Sequence, residues 1–439
     1  MRISRLLPLS LALVGVFAGA AQAQSLSELY TAARGYDAAY QSARAQYDAN
    51  LAKADQAKAL ILPSVGLSAG ASHSEFENSS PSYSRGYGTQ SATLSASQPL
   101  YRPVNKASYA QGLKQLDLAQ AQLIAAEQDL IVRVSQAYFD ALGAKDSLTF
   151  VVAQKAAVAE QLAAAKRNFE VGTSTITDQR EAQSRYDLVV AQEIAATNDL
   201  RVKLIALDIL VGKDSTTPKR LSLPVALPML NPDQVNTWVE QAEDAHPGLK
   251  QAVVALDVAK LETEKAQAGH KPTVDLVASY NVTNNTASPT VGGAYRSNVG
   301  TLGVQFNLPL FAGYSIQNRV RETVALEEKA RNDVDGTRRA VAQATRTAYF
   351  GVVSGLSQVT AYEAAEASSQ SALDANKLGY QVGVRINIDV LNSQSQLFQT
   401  KRDLAKARYD VLVGGLRLRQ ANGTLKAEDL NAINALLAP

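Results

Sequence analysis

Val274-Asp275-Leu276-Val277-Ala278-Ser279-Tyr280-Asn281-Val282 alternates between two kinds of side chain. Val274, Leu276, Ala278, Tyr280 and Val282 fall on one face of an extended chain and Asp275, Val277, Ser279 and Asn281 on the other. Further on, Leu302, Val304, Phe306, Leu308 and Leu310 alternate with Thr301, Gly303, Gln305, Asn307 and Pro309. A fainter pair precedes them, with Val65, Leu67, Ala69 and Ala71 in one stretch and Ala92, Leu94 and Ala96 in the other. The alternation predicts four strands, at about 64–72, 91–101, 273–282 and 300–311. Strands of about ten residues cross an outer membrane when tilted. The stretches between them, His73–Gln90 and Thr283–Asn298, are dense in Ser, Asn, Gly and Pro and read as solvated loops.

Working outward, the strand pairs belong to a long internal repeat. Ala137-Tyr138-Phe139 recurs as Ala348-Tyr349-Phe350, Val171-Gly172 as Val382-Gly383, Asp178 as Asp389 and Gly212 as Gly423, each at an offset of 211. Pro99-Leu100-Tyr101 matches Pro309-Leu310-Phe311 at 210, and Leu62-Pro63-Ser64-Val65 matches Lys271-Pro272-Thr273-Val274 at 209. A fixed offset that drifts only near loops is what two structural copies give. Repeat 1 covers 24–212 and repeat 2 covers 235–423. Between them lies a segment at 213–234, and a last segment occupies 424–439.

Helices fill the rest of each copy. First helices are expected over Leu26–Leu60 and Pro232–Ala268, long helices over about 105–169 and 316–380, and return helices over about 176–212 and 388–421. At seven-residue spacing Leu116, Leu123, Leu130, Ala137, Ala144, Val151, Val158 and Ala165 are all apolar, and Val334, Val341 and Ala348 keep the seam in the second copy. An unbroken helix from 105 to 169 is roughly 95 Å long. Small residues on such a seam suit walls of packed helices.

Composition narrows the function. Arg2 and Arg5 precede an apolar stretch and an Ala21-Gln22-Ala23 site, the pattern of a signal peptide over 1–23 with a mature chain from Gln24. Removing those two arginines from 43 basic residues leaves 41 against 41 acidic, a balance that gives no support for nucleic acid as a partner. No cysteine is present, and His73, His246 and His270 lack metal-ligand spacing, so no cofactor, metal centre or catalytic residue is expected and the chain does not read as an enzyme.

Four membrane strands leave two sheet edges, and unpaired backbone groups in hydrocarbon cost several kcal/mol each. The barrel is therefore shared. Two chains give about eight strands and a filled barrel, whereas three give about twelve and an open lumen.

The ordered set of repeat, Leu-Pro-Ser-Val strand start, Gln98-Pro99-Leu100-Tyr101 strand exit, Ala-Tyr-Phe and Val-Gly turns resembles the TolC family of outer-membrane factors over nearly the whole mature chain. The resemblance implies a homotrimer with a shared 12-stranded β-barrel in outer-membrane lipid and a long periplasmic α-helical tunnel. It also implies an equatorial region formed near Asp214–Gln234 with the segment from Lys426. The function it implies is an outer-membrane exit channel for efflux or type I secretion, working with a periplasmic adaptor (membrane fusion protein) and an inner-membrane transporter of RND or ABC type. The turns Val171-Gly172-Thr173 and Val382-Gly383-Val384 would be adaptor-docking tips. Asp389 and Asn392 would form the periplasmic constriction, although similar channels often carry a second acid at Asn392. Tyr380 and Arg385 would reach Thr177 and Asp178, within or between chains, as a closed-state latch. A periplasmic coiled-coil scaffold or adhesin without a pore would explain the heptads but not the strands.

Overall fold

The computed structural model describes residues 23–222, 224–290 and 292–438. Apart from Ala23, the expected signal peptide lies outside the described residues. Repeat 1 runs α1 (Leu26–Tyr36), α2 (Ala38–Ala59), β1 (Ser64–Ser79), β2 (Ser82–Tyr101), α3 (Pro103–Glu170) and α4 (Ile176–Val211). Repeat 2 follows with α5 (Val235–Ala245), α6 (Pro247–Ala268), β3 (Thr273–Asn285), β4 (Tyr295–Asn307), α7 (Ser315–Gln381) and α8 (Asn387–Ala421), and a short α9 (Asp429–Asn434) comes last. Among the described residues no helix is long and apolar enough to cross a membrane.

Three elements differ from expectation. Each first helix is broken in two, at positions 209 residues apart in the repeat. Asp37 ends α1 and its Oδ1 accepts from the Tyr40 N–H at 2.8 Å, while His246 Nδ1 accepts from the Gly248 N–H at 3.1 Å ahead of α6, which starts on Pro247. The first strand pair is longer than expected, because β1 and β2 stay paired until Ser79 faces Ser82 and turn most of His73–Gln90 into hairpin. Cross-strand contacts support it: the Phe76 and Tyr83 rings lie 5.7 Å apart, and Tyr83 donates to the Pro289 carbonyl at 2.6 Å. β4 occupies 295–307 instead of 300–311: it starts early because Tyr295 pairs with Asn285, and it stops at Asn307 as an edge strand without a neighbour along 308–311.

The chain forms two compact units. One comprises Ser42–Ala126 and Glu243–Gln343 and holds a single antiparallel sheet in the order β1-β2-β3-β4. The register places Leu67, Leu94 and Tyr280 in one cross-strand row and Val65, Ala96, Ala278 and Leu302 in the next. These apolar residues face outward, with Leu67 and Leu302 each 76% exposed. The opposite rows read Gly66, Ser95, Ser279, Thr301 and Ser68, Thr93, Asn281, Val299. An apolar outside over a small, polar inside is the signature of a membrane barrel wall. Where β2 leaves the sheet its register shifts between Pro99 and Tyr101, and Arg102 donates to both carboxylate oxygens of Asp275 at 2.7 and 2.6 Å. Asp275 is only 4% exposed, so this bidentate pair ties the root of α3 to β3.

The other unit holds the described residues up to Gln41, Glu127–Ala242 and the chain from Ala344. Its part of the heptad seam is buried at Leu130, Ala144, Val151, Val158 and Ala165. The repeated Ala-Tyr-Phe has a local cause: Tyr138 donates to the carbonyls of Lys219 (2.9 Å) and Gln24 (3.2 Å), and Tyr349 donates to that of Asp233. Both tyrosines hold the segment between the repeats. That segment pairs in turn with the chain end, with the Ser222 N–H donating to the Leu436 carbonyl at 2.8 Å and the Ala438 N–H to that of Arg220 at 2.7 Å.

Candidate functional site

Both turns are built alike. At the end of α3 the Thr173 N–H returns to the Asn168 carbonyl (2.8 Å) and Gly172 sits at φ 77°; at the end of α7 the Val384 N–H returns to the Gly379 carbonyl (2.8 Å) and Gly383 sits at φ 78°. Nothing lies within 4 Å of where a Cβ would stand on Gly172 or Gly383, so the left-handed backbone alone demands glycine there. Val171, Val382, Val384 and Ile386 are all exposed, Val384 by 79%. Four apolar side chains thus stand in solvent at the two turns.

The starts of the return helices differ. α4 opens with a capping box in which Thr175 Oγ1 accepts from the Asp178 N–H at 3.2 Å while Asp178 accepts from the Thr175 N–H at 3.0 Å. Ser174 and Thr175 hydroxyls also donate to the same Oδ2, at 2.7 and 2.9 Å. Partial burial works to raise the Asp178 pKa, but these hydrogen bonds outweigh it and hold the carboxyl below its usual range. α8 has no side-chain cap, and Ile386 stands at that position.

α8 packs into both helix pairs. Val390 and Leu397 share a buried cluster with Leu373 of α7, and Leu391 joins another that holds Val151, Val158 and Leu162 of α3 with Ala182 and Val189 of α4. The buried Asn387 side chain donates to the Asp178 carbonyl at 3.3 Å and accepts from Gln161. Sequence reasoning missed Asn387, although a polar residue between the apolar Ile386 and Ile388 is its trace in the sequence.

The anticipated gate residues fall in one place, yet they pair differently. Asp389 and Asn392 lie one turn apart on α8; Arg385 Nη1 is 3.7 Å from Asp389 Oδ2, and Arg185 Nη2 donates to Asn392 Oδ1 at 2.9 Å. Tyr380 Oη accepts from Asn168 Nδ2 at 3.1 Å and does not bond Asp178, while Thr177 is exposed. Within one chain, then, the structure brings neither Tyr380 nor Arg385 to Thr177 or Asp178. Asn168 and Arg185 were not singled out from the sequence.

A sheet that is apolar outside and polar inside, open at two edges and joined to helices of 68 and 67 residues, defines a protomer of a membrane-barrel export channel. Comparison with known proteins agrees. The family model described as "Outer membrane efflux protein" matches residues 29–213 and 238–424, one block for each repeat, and the chain belongs to that family. It is 33% identical to outer membrane protein TolC of Vibrio cholerae serotype O1 over 99% of this chain and 98% of that protein. It is 31% identical to alkaline protease secretion protein AprF of Pseudomonas aeruginosa over 80% of this chain and 73% of the relative. Its fold matches the crystal structure of outer membrane protein VceC of Vibrio cholerae with a TM-score of 0.78 at 19% identity, covering 91% and 96% of the two chains. The fold class is mixed α and transmembrane β in two structural repeats, whose strands form one four-stranded sheet. This is an outer-membrane exit channel extending into the periplasm; it is a transport protein, not an enzyme. The pore-less scaffold reading leaves the sheet unexplained and falls.

Proposed function

We propose that three copies form the exit duct of a tripartite machine, in which a periplasmic adaptor seats on the helix tips and an inner-membrane transporter of RND or ABC type delivers the cargo. The observation that carries this reading is the exposed apolar side chains at the tips, Val171 on the first turn and Val382, Val384 and Ile386 at the second. Val171→Asp combined with Val382→Asp is expected to leave a channel that assembles in the outer membrane and conducts in bilayers, yet no longer supports export from cells. Full export by that variant would remove docking from these turns.

The tip is also the gate. Asp389 and Asn392 line its constriction, and Arg385 latches the closed state to Thr177 and Asp178 of a neighbouring copy. Three donors converge on Asp178 Oδ2, which leaves Oδ1 as the oxygen for an incoming guanidinium. One such exposed link is worth about 1 kcal/mol or less, which suits a reversible switch. Arg385→Ser with Tyr380→Phe is expected to raise single-channel conductance; equal conductance in variant and parent rejects the latch.

A further inference from the structure

The sequence of β4 continues past its structure. Alternation runs on through Leu308 and Leu310, yet pairing ends at Asn307, and Leu310 and Phe311 are left exposed. Its repeat counterpart β2 continues through Pro99 to Tyr101, because β3 lies alongside and takes Tyr101 opposite Val274. The difference is the neighbour. β4 is an edge, and the counterpart of β3 is β1, the other edge. The repeat offsets, 210 from β2 to β4 and 209 from β1 to β3, therefore carry the observed β2–β3 ladder onto a β4–β1 ladder between copies.

Applied pair by pair, Ala96 with Ala278 becomes Phe306 with Ala69 of the partner subunit, and Leu94 with Tyr280 becomes Val304 with the partner's Ala71. Gln98 with Leu276 becomes Leu308 with the partner's Leu67, and Tyr101 with Val274 becomes Phe311 with the partner's Val65. All of these keep apolar residues on the outer face, and small partners meet Val304 and Phe306. A slip of one residue would turn one strand's apolar set inward. A slip of two would not, so the repeat has to choose the register.

We propose that a second copy of this chain adds its β1 to β4 in this register, and that β4 then grows to Phe311 through an irregularity at Pro309 like the one at Pro99. The inference rests on the shared barrel. Because the chain has no cysteine, introduced pairs report cleanly. In the assembled channel, Phe306→Cys with Ala69→Cys is expected to give disulfide-linked dimers and trimers about fivefold faster than Phe306→Cys with either Leu67→Cys or Ala71→Cys, since facing positions are close and diagonal ones about 7–8 Å apart. Faster linkage by a diagonal pair, or none by any pair in an intact oligomer, overturns the register. Leu308→Cys with Leu67→Cys tests the growth of β4, and failure to link while the 306–69 pair links removes that part alone. A chain that inserts and stays monomeric would instead overturn the shared barrel itself.

A different observation concerns charge at the tips. Arg185 hydrogen-bonds the neutral Asn392, and among the described residues no carboxylate lies within 4 Å of it. Asn392 is one turn from Asp389, whose ion-pair partner is Arg385 at 3.7 Å. Arg185 thus brings a guanidinium without a carboxylate partner to within one turn of the Arg385–Asp389 pair. We infer that Arg185 is a specificity-determining residue that cancels the cation preference Asp389 would otherwise impose. The inference rests on the constriction lying here. In bilayers under a KCl gradient, Arg185→Gln is expected to raise the cation-to-anion permeability ratio about twofold or more, with Arg185→Lys close to the parent. Asp389→Asn should lower the ratio. If Asp389→Asn acts and Arg185→Gln does not, the role of Arg185 is overturned; if neither acts, the constriction lies elsewhere and both readings fall.

Discussion

α3 and α7 carry the same Ala-Tyr-Phe at an offset of 211 residues, yet they bury it differently. Phe139 is 2% exposed and stacks on Tyr409 with ring centroids 5.5 Å apart, whereas Phe350 is 58% exposed. Tyr409 lies on α8, whose repeat counterpart is α4. α4 buries few of its residues and exposes Ile194, Val202, Ile205 and Ile209. Duplication therefore produced two equal halves, but one chain satisfies only one of the two possible helix pairings. Within the single chain the apolar residues Ile194, Val202, Ile205 and Ile209 of α4 and Phe350 of α7 stay open.

The sharpest break in this comparison is removal of the two rings. Phe139→Ala should lower the stability of the refolded protein by about 3–5 kcal/mol. Phe350→Ala should change a dissociated protomer by about 0.5 kcal/mol or less while lowering the temperature at which the oligomer dissociates in detergent. Equal losses in both would show that the repeats are packed alike. The neighbouring tyrosines come next. Tyr138 is fully buried and shares its one hydroxyl proton between two carbonyls, both of which lose it in the phenylalanine variant, whereas Tyr349 donates to one, so Tyr138→Phe should cost about 1–3 kcal/mol in denaturant unfolding and Tyr349→Phe less.

The turns should instead behave as equals. Gly172→Ala and Gly383→Ala meet no neighbour and carry only the penalty of a left-handed alanine, about 1–2 kcal/mol each by thermal unfolding. A large difference between them would reveal a contact made by one tip alone.

The subtlest contrast is one of pH, between the equivalent breaks at Asp37 and His246. Hydrogen bonding from Arg133 holds Asp37 below the usual carboxylate range despite burial. Its stabilising effect is complete above the unfolded pKa of about 4 and is lost as pH falls through the lower folded value. Burial lowers the His246 pKa, so the unfolded chain takes up more protons below about 6.5. The His246 contribution is therefore complete above that pH and fades as pH falls toward the folded value. Hydrogen exchange at Gly248 and Leu249, corrected for intrinsic rates, should speed up between pH 7 and 5 in the parent but not in His246→Asn, which caps without titrating.

Much of this was legible in the sequence because it is periodic. The offset of 211 identified the halves, and alternation in Val274–Val282 identified the outward face. The helix breaks were hidden because each depends on one side chain, Asp37 or His246, inside an otherwise helical stretch; Pro247 was the overlooked signal. The long first hairpin was misread because Ser and Gly suggest loops by composition, whereas pairing across the strands decided the matter. At the tip, the family resemblance implied Thr177 and Asp178 as partners of Tyr380, whereas within one chain its hydroxyl meets Asn168, a contact made by packing in three dimensions that no periodicity records.

The clamp of Arg102 on Asp275 has a mechanical corollary. Its repeat equivalent is Ala312, followed by Gly313 and Tyr314 at φ 58° and 62°, and the ion pair at the root of α7 is a different one, from Arg319 to Glu262 of α6 at 2.6 Å. One rod is bolted to the wall of the sheet and its twin to a neighbouring helix. A pull along the two rods would accordingly reach the strands directly through the first copy of the repeat and only by way of α6 through the second.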